Sequence, residues 1–292
     1  MTHYTLDFVV AHCDEQFRQA VEAIVHYGVP HRRVDSKHDF RVVMYHKCGT
    51  QPETRAWDEE YHVQHVRLTN VGYEAHTYIE HLVRNYDHLA TTTLFLQGDF
   101  LSHSAFVATC DLPRHIRSHP FVSFGTDLDR IDGPRYREAG CGQAGRVEAM
   151  FQSFWPEFAL PPSGSPQACF RATSHGLFAV HISRVRAHPR SFYAAALNLT
   201  LSPHVPLAEM PWARPRSCGE SPALPLKEAA TLWEAGWHIV FGEDACLRSE
   251  AAMPFEGQGD EESALRAEEL LKQGNGPRCA YPPPPSPKPP PL

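Results

Sequence analysis

The stretch from Asn70 to Asp99, NVGYEAHTYIEHLVRNYDHLATTTLFLQGD, constrains the fold of this chain more than any other. Ala75, Tyr78, Ile79, Leu82, Val83 and Tyr86 recur at steps of three and four, which predicts one apolar stripe on a helix. Asn70 and Gly72 stand where the chain must turn into that helix. Thr91 to Leu96 is short, β-branched and apolar, the pattern of a central strand, and Gln97, Gly98 and Asp99 end it. A helix feeding a buried strand is the unit of an α/β sheet. In open sheets of that kind ligands bind beyond the carboxyl ends of the strands. Gln97, Gly98 and Asp99 are therefore the first place to expect chemistry.

The chain before this stretch repeats the theme. Leu6 to Ala11 reads as a strand that ends in His12, Cys13, Asp14 and Glu15. Phe17, Ala20, Val21 and Ile24 share a helical face, with Gly28 and Pro30 as stop signals. Phe40 to His46 reads as a second strand and Tyr61 to Leu68 as a weaker third. The expected class is α/β, with a mainly parallel central sheet and flanking helices.

Beyond Phe100 the signals are sparser. Phe121 to Phe124 has the look of a short strand, and Thr126 to Gly145 of a long loop. Ala168 to Ala172 and Gly176 to Ile182 read as extended. Pro189 suits the first turn of a helix through Leu197, because its missing N–H is not needed there. A last helix is expected over Leu226 to Phe241, with Ala230, Trp233, Trp237 and Phe241 on one face. This divides the chain into one α/β domain, 1–245, and a polar, Pro-rich tail, 246–292, expected to be largely disordered. The tail ends in YPPPPSPKPPPL, which suits a polyproline-II segment, either a linker remnant or a ligand for an SH3- or WW-type partner.

Composition excludes several function classes. A formal charge of −7 with both signs interspersed argues against a nucleic-acid partner. No run approaches the ~20 apolar residues of a membrane span. The N-terminus lacks the basic flank and apolar core of a signal peptide, which points to the cytoplasm unless the chain begins within a longer secretory product. The 8 cysteines include no C-x-x-C pair, which argues against a zinc ribbon; reduced, partly buried thiols are expected, or a few disulfides if the protein is secreted. P-loop, G-x-S-x-G, G-x-G-x-x-G, H-E-x-x-H and kinase signatures are missing.

Several candidate site residues remain. Asp99, following a Gly that lets a ligand approach, can hold Mg²⁺ or Mn²⁺ against a diphosphate with His103 assisting, or can simply cap the next segment. Asn70, Gly72 and the first free N–H groups of the helix can form an anion-friendly lip, with Asn70 as its N-cap. Glu74 lies in the first helical turn, where the dipole favours a carboxylate. Asp14 and Glu15 follow the first strand, where a nucleoside is commonly contacted in nucleotide-binding sheets, or they simply form a solvated helix start. Glu234 and His238, four apart and flanked by Trp233 and Trp237, suit a base with its partner, two ligands of one ion, or a plain surface pair; Trp237 can also stack on a sugar face. His62, His65, His76 and His81 lack the spacing of a zinc pair and read as ordinary polar residues.

FVVAHCDE, VVMYHKC, the Asn70–Asp99 stretch, GLFAVHISRVRAHPRSFY and LWEAGWHIVFG resemble, in order, the blocks of family 3431 of the domains of unknown function. That family is itself remotely similar to the GT-A (nucleotide-diphospho-sugar transferase) fold. There an Asn-x-Gly turn and a helix precede a strand that ends in an Asp-x-Asp metal motif. Asn70-Val71-Gly72, the helix, LFLQ and Gly98-Asp99 follow this layout, with Gln97 in the place of the first Asp. The resemblance implies transfer of a sugar from a nucleotide sugar, or a non-catalytic glycan- or nucleotide-binding module of the same fold. It implies Mn²⁺ or Mg²⁺ on Asp99, Glu234 as the base on the acceptor, and His238 as a further metal ligand.

Overall fold

The computed structural model describes residues 4–13, 21, 40–49, 58–59, 61–100, 119–125, 131–132, 169–173, 175–201, 226–243 and 246. Asp14, Glu15, His103, the first expected helix apart from Val21, and the tail beyond Cys246 lie outside the described residues.

Six strands form one sheet: β1 (Leu6–His12), β2 (Phe40–His46), β3 (Val63–Arg67), β4 (Thr92–Gln97), β5 (Phe121–Ser123) and β8 (Phe178–His181), in the order β3-β2-β1-β4-β8-β5. The pairs β3–β2, β2–β1 and β1–β4 are parallel, whereas β8 runs antiparallel to both β4 and β5. The sheet is thus mixed. A separate two-stranded ladder joins β6 (Ile131–Asp132) to β7 (Cys169–Phe170), so a strand stands inside the stretch expected to be a long loop. Helix α1 (Tyr73–Asn85) connects β3 to β4, and α2 (Ile182–Val185) and α3 (Arg190–Leu201) follow β8. Helix α4 (Leu226–Val240) is the last described element.

Every residue of β1 is buried, because both faces of the sheet are covered. Val9, Ala11, Val43, Tyr45 and Phe95 face a core shared with Ala75, Tyr78, Ile79 and Leu82 of α1 and with Trp233, Trp237 and Phe241. Phe8, Val10, Val42, Met44, Leu94 and Leu96 face a second core with Val21, Phe100 and Phe124. Burial of each large side chain contributes about 1.5–3 kcal/mol, so the expected α1 stripe accounts for that helix's position. Val83 and Tyr86 are only half-buried at the edge of the first core. Helix α1 also packs along α3, which extends to Leu201, one turn past the expected end.

Three expectations are corrected. Asn70 is not the N-cap of α1. Gly72 holds that position with a left-handed backbone, φ +59°, and makes no side-chain cap, while the Asn70 amide donates to Cys48 Sγ at 3.1 Å. The cysteines described are not thiols. Cys13 is bonded to Cys48 and Cys169 to Cys246, so the first residue of the expected tail is tied to β7. The histidines at 65, 76 and 81 are also more than ordinary polar residues, since their side chains are buried. His81 Nδ1 lies 3.1 Å from the Tyr45 hydroxyl, and its Nε2 lies 3.8 Å from Asp7. No helix among the described residues is long and apolar enough to cross a membrane.

Candidate functional site

The carboxyl ends of β2 and β4, the amino end of α1 and the turn before β8 meet at one rim. Antiparallel pairing explains the last of these. Phe178 is in register with Phe95, so the chain enters β8 beside the place where it leaves β4. His175 and Gly176 make that entry with left-handed backbones, φ +69° and +55°. Left-handed geometry costs a non-glycine residue about 1–2 kcal/mol, and here it directs the His175 N–H onto a carboxylate oxygen of Glu234.

Gly176 is the centre of the cluster. A Cβ on it would lie 3.6 Å from the Tyr78 ring, 3.7 Å from Glu74 Cγ and 3.8 Å from Trp237 Nε1. Glu74 and Tyr78 are one turn apart on α1, and Glu234 and Trp237 one turn apart on α4, so each helix brings a carboxylate and an aromatic to the same place. Trp237 stacks in turn on Trp233, with ring centroids 5.1 Å apart.

The electrostatics tie in Asp99. Burial pushes the Glu74 carboxyl up to about 7, and the charges of Glu234 and Asp99 add to the rise, while its own backbone hydrogen bond and Lys47 oppose it. Burial also raises the Tyr78 phenol far above its ordinary value, and Glu74, Glu234 and Asp99 push in the same direction. Lys47 follows β2 and reaches across to the entry of α1, where its ammonium donates to the carbonyls of Val71, at 2.5 Å, and Tyr73. Those contacts hold the turn in which Gly72 and Tyr73 both take positive φ. Burial pulls Lys47 down to about 8, with Glu74 opposing.

Beside Gly176, the buried Tyr78 hydroxyl and Trp237 indole N–H have no hydrogen-bond partner among the described residues. Each costs roughly 1–3 kcal/mol when left unmade. A bound molecule with several hydroxyl groups would satisfy both, accepting from the phenol and the indole and donating to the carboxylates.

Of the residues expected from the sequence, Glu74, Glu234 and Trp237 are brought together, and the charge of Asp99 acts on Glu74 and Tyr78. Gln97 is the half-buried last residue of β4, Gly98 is buried in the turn after it, and Asp99 is exposed at the rim. Gly72 shapes the entry of α1 and packs on Thr200. Asn70 is exposed and engaged with Cys48. His238 is buried with its ring against Phe170, centroids 6.0 Å apart. Among the described residues no group of three or more His, Cys, Asp or Glu side chains is placed to hold a metal ion.

Lys47, Tyr78, His175 and Gly176 were not anticipated. Tyr78 was legible only as core, although its place one turn after Glu74 is a signal that could have marked it. No protein-family model matches the sequence, and no curated protein matches it.

Proposed function

We propose that this chain is a GT-A-like protein that binds a nucleotide sugar at the rim formed by Glu74, Asp99, Gly176, Glu234 and Trp237, and transfers the sugar to an acceptor hydroxyl. The observation that carries this reading is the placing of Glu74 and two buried, unpartnered donors, Tyr78 and Trp237, around Gly176, with Glu234 held by the adjacent His175 N–H and the charge of Asp99 acting on Glu74. Sugar hydroxyls pair with carboxylates and indole N–H groups, and an apolar sugar face stacks on an aromatic ring. The strand order, with the site at the carboxyl ends of parallel strands, supports the same reading.

In the transfer, the acceptor oxygen bonds to the anomeric carbon as the bond from that carbon to the diphosphate breaks. The acceptor proton passes to a carboxylate of the cluster. Glu234 is steadied by the His175 N–H, and Glu74, with a value near neutrality, can take up and release a proton at the pH of the cell. A divalent ion suits an exposed Asp99, because Mg²⁺ is usually held by one or two carboxylates, water and the substrate's phosphates rather than by a closed protein cage. When bound, Mn²⁺ or Mg²⁺ would neutralise charge on the departing diphosphate. In this reading Asp14 and Glu15, just after β1, contact the nucleoside.

UDP- and GDP-sugars with Mn²⁺ are expected to raise the melting temperature, and Asp99→Ala to remove the shift. Absence of a shift with every nucleotide sugar tried would remove the reading. The second reading, a glycan- or nucleotide-binding module without turnover, is favoured by one observation: Gln97, an amide, ends β4 one residue before Gly98. Binding that persists in chelator, with no sugar transferred, selects it. The Pro-rich tail as a ligand for an SH3- or WW-type partner is a separate proposal, tested by its deletion.

A further inference from the structure

The strand ladder at the carboxyl edge of the sheet stops just short of a disulfide. β1 and β2 stay in register through His12 and His46, and the Lys47 N–H donates to the His12 carbonyl at 2.9 Å. On the other side of β2 the Leu68 N–H donates to the His46 carbonyl at 2.9 Å. Cys13 and Cys48, bonded to each other and half-buried, lie immediately beyond. Seven register pairs hold β1 to β2 without that bond. What the bond adds is a hold on Cys48, and Cys48 is tied to the chain entering α1, because the Asn70 amide donates to its Sγ at 3.1 Å.

Lys47 stands between that anchor and the end of β2. Its ammonium donates to the carbonyls of Val71 and Tyr73, on either side of Gly72. Gly72 and Tyr73 take positive φ, +59° and +49°, and a tyrosine keeps such a backbone only where its surroundings hold it there. The first turn of α1 starts from the same place, since the His76 N–H donates to the Gly72 carbonyl at 3.0 Å. Glu74 is the residue after Tyr73. Disulfide, Lys47, turn and Glu74 are thus linked by one continuous set of bonds, and the disulfide fixes its far end.

We propose that Cys13–Cys48 is a redox-active disulfide that exchanges with a dithiol, and that its oxidised form holds Lys47 and the turn into α1 in the geometry that presents Glu74. A thiolate of the dithiol bonds to Cys13 Sγ as the Cys13–Cys48 bond breaks, and the electron pair leaves on Cys48 Sγ, where the Asn70 amide is placed to donate. The dithiol's second thiolate then displaces Cys13 from the mixed disulfide. The dithiol is oxidised, both cysteines are reduced, and the dithiol's two protons end on their thiols. Opening releases Cys48, slackens the hold of Lys47 and loosens the first turn of α1. Control of ligand binding by this bond rests on the nucleotide-sugar reading; the loosening of the turn does not.

The experiment is hydrogen exchange on the full chain, oxidised and then opened stepwise with dithiothreitol at neutral pH, with alkylation and peptide mapping to show which cysteines are reduced at each step. Opening of Cys13–Cys48 is expected to speed exchange in the first turn of α1 roughly tenfold and to leave β1 and β2 protected. Cys13→Ser combined with Cys48→Ser is expected to exchange fast there from the outset and to be unmoved by dithiothreitol. Asn70→Ala is expected to slow the opening several-fold, and an unchanged rate overturns departure through Cys48. Failure of dithiothreitol to reduce Cys13 and Cys48 in the folded protein, equal exchange of the α1 first turn in both forms, or loss of protection throughout β1 and β2 would each overturn the proposal. UDP- and GDP-sugars with Mn²⁺ are expected to raise the melting temperature of the oxidised form alone. An equal rise in both forms overturns control of the site. No rise in either overturns the nucleotide-sugar reading, and the exchange data then decide the disulfide's hold on the turn. If the double variant does not fold, the wild-type titration decides, because mapping identifies the bond that has opened.

Discussion

The backbone N–H of His175 donates to the side chain of Glu234, tying the turn ahead of β8 to α4. Glu234→Gln keeps an oxygen that accepts this bond, whereas Glu234→Ala leaves the N–H without it, a loss of about 1–3 kcal/mol. Chemical denaturation is therefore expected to show Glu234→Ala clearly destabilised and Glu234→Gln close to wild type. Both remove the charge, so both are expected to weaken the thermal shift given by a nucleotide sugar. Equal stability of the two variants would mean that the bond contributes nothing.

Stability is expected to depend on pH in two opposed ways. His46, His76 and His81 are lowered by burial from 6.5 to about 4, 4 and 3. As pH falls through 6.5 the unfolded chain binds more protons than the folded one, and stability is lost. Glu74 is raised from 4.5 to about 7, so its contribution is complete below 4.5 and disappears as pH rises through 7. Three groups against one make acid the stronger destabiliser. Melting curves of Glu74→Gln should gain stability over wild type at pH 8 and not at pH 4.

Asp7 is fully buried and takes both nitrogens of a guanidinium fork, Arg41 Nε at 3.0 Å and Nη2 at 2.6 Å. Replacing it with Asn leaves most of the Arg41 charge unpaired beneath the sheet, where breaking a buried pair costs about 3–5 kcal/mol. Equilibrium unfolding in urea measures this. A cost under 1 kcal/mol, the scale of an exposed pair, would show that the Arg41 charge is relieved by water.

Gly72 and Gly176 share a left-handed backbone but not their surroundings. A Cβ on Gly72 would stand 2.9 Å from His76 Cβ and 3.0 Å from the Thr200 carbonyl, whereas on Gly176 the nearest atom is at 3.6 Å. Gly176→Ala is expected to cost the backbone strain alone, about 1–2 kcal/mol, and Gly72→Ala that strain plus overpacking of about 1–3 kcal/mol. The ligand effect runs the other way, since only Gly176→Ala puts a methyl among Tyr78, Glu74 and Trp237. Denaturation and ligand-induced thermal shift on the same two proteins separate these effects.

Local pattern made β1, β2, β4, α1 and α4 legible, because a buried strand or helix stripe writes its burial into consecutive residues. Phe40 to His46 and Leu226 to Val240 differ from expectation by at most one residue. Pairing is not local. Nothing in Gly176 to Ile182 says that β8 lies between β4 and β5 and runs against both, so a mainly parallel sheet was expected where the pairs are mixed. The same holds for the histidines. His65 reads as a polar residue of a weak strand until the register of β3 on β2 carries it to His46. In the carboxylate cluster, Glu74, Asp99 and Glu234 could each be suspected alone, but their mutual influence needed α4 to cross the end of α1, a contact separated by some 150 residues of chain.

The antiparallel seating of β8 has a consequence for the nascent protein. During synthesis β4 is complete at Gln97, yet the strand that covers its outer edge begins only at Phe178. Throughout that interval Leu94 and Phe95 border an unpaired row of backbone groups, and Phe121 to Ser123 must wait for the same partner. An unpaired apolar edge is a template for pairing with another chain. A ribosome pausing in this interval would hold an aggregation-prone intermediate, relieved only when the segment after Gly176 emerges.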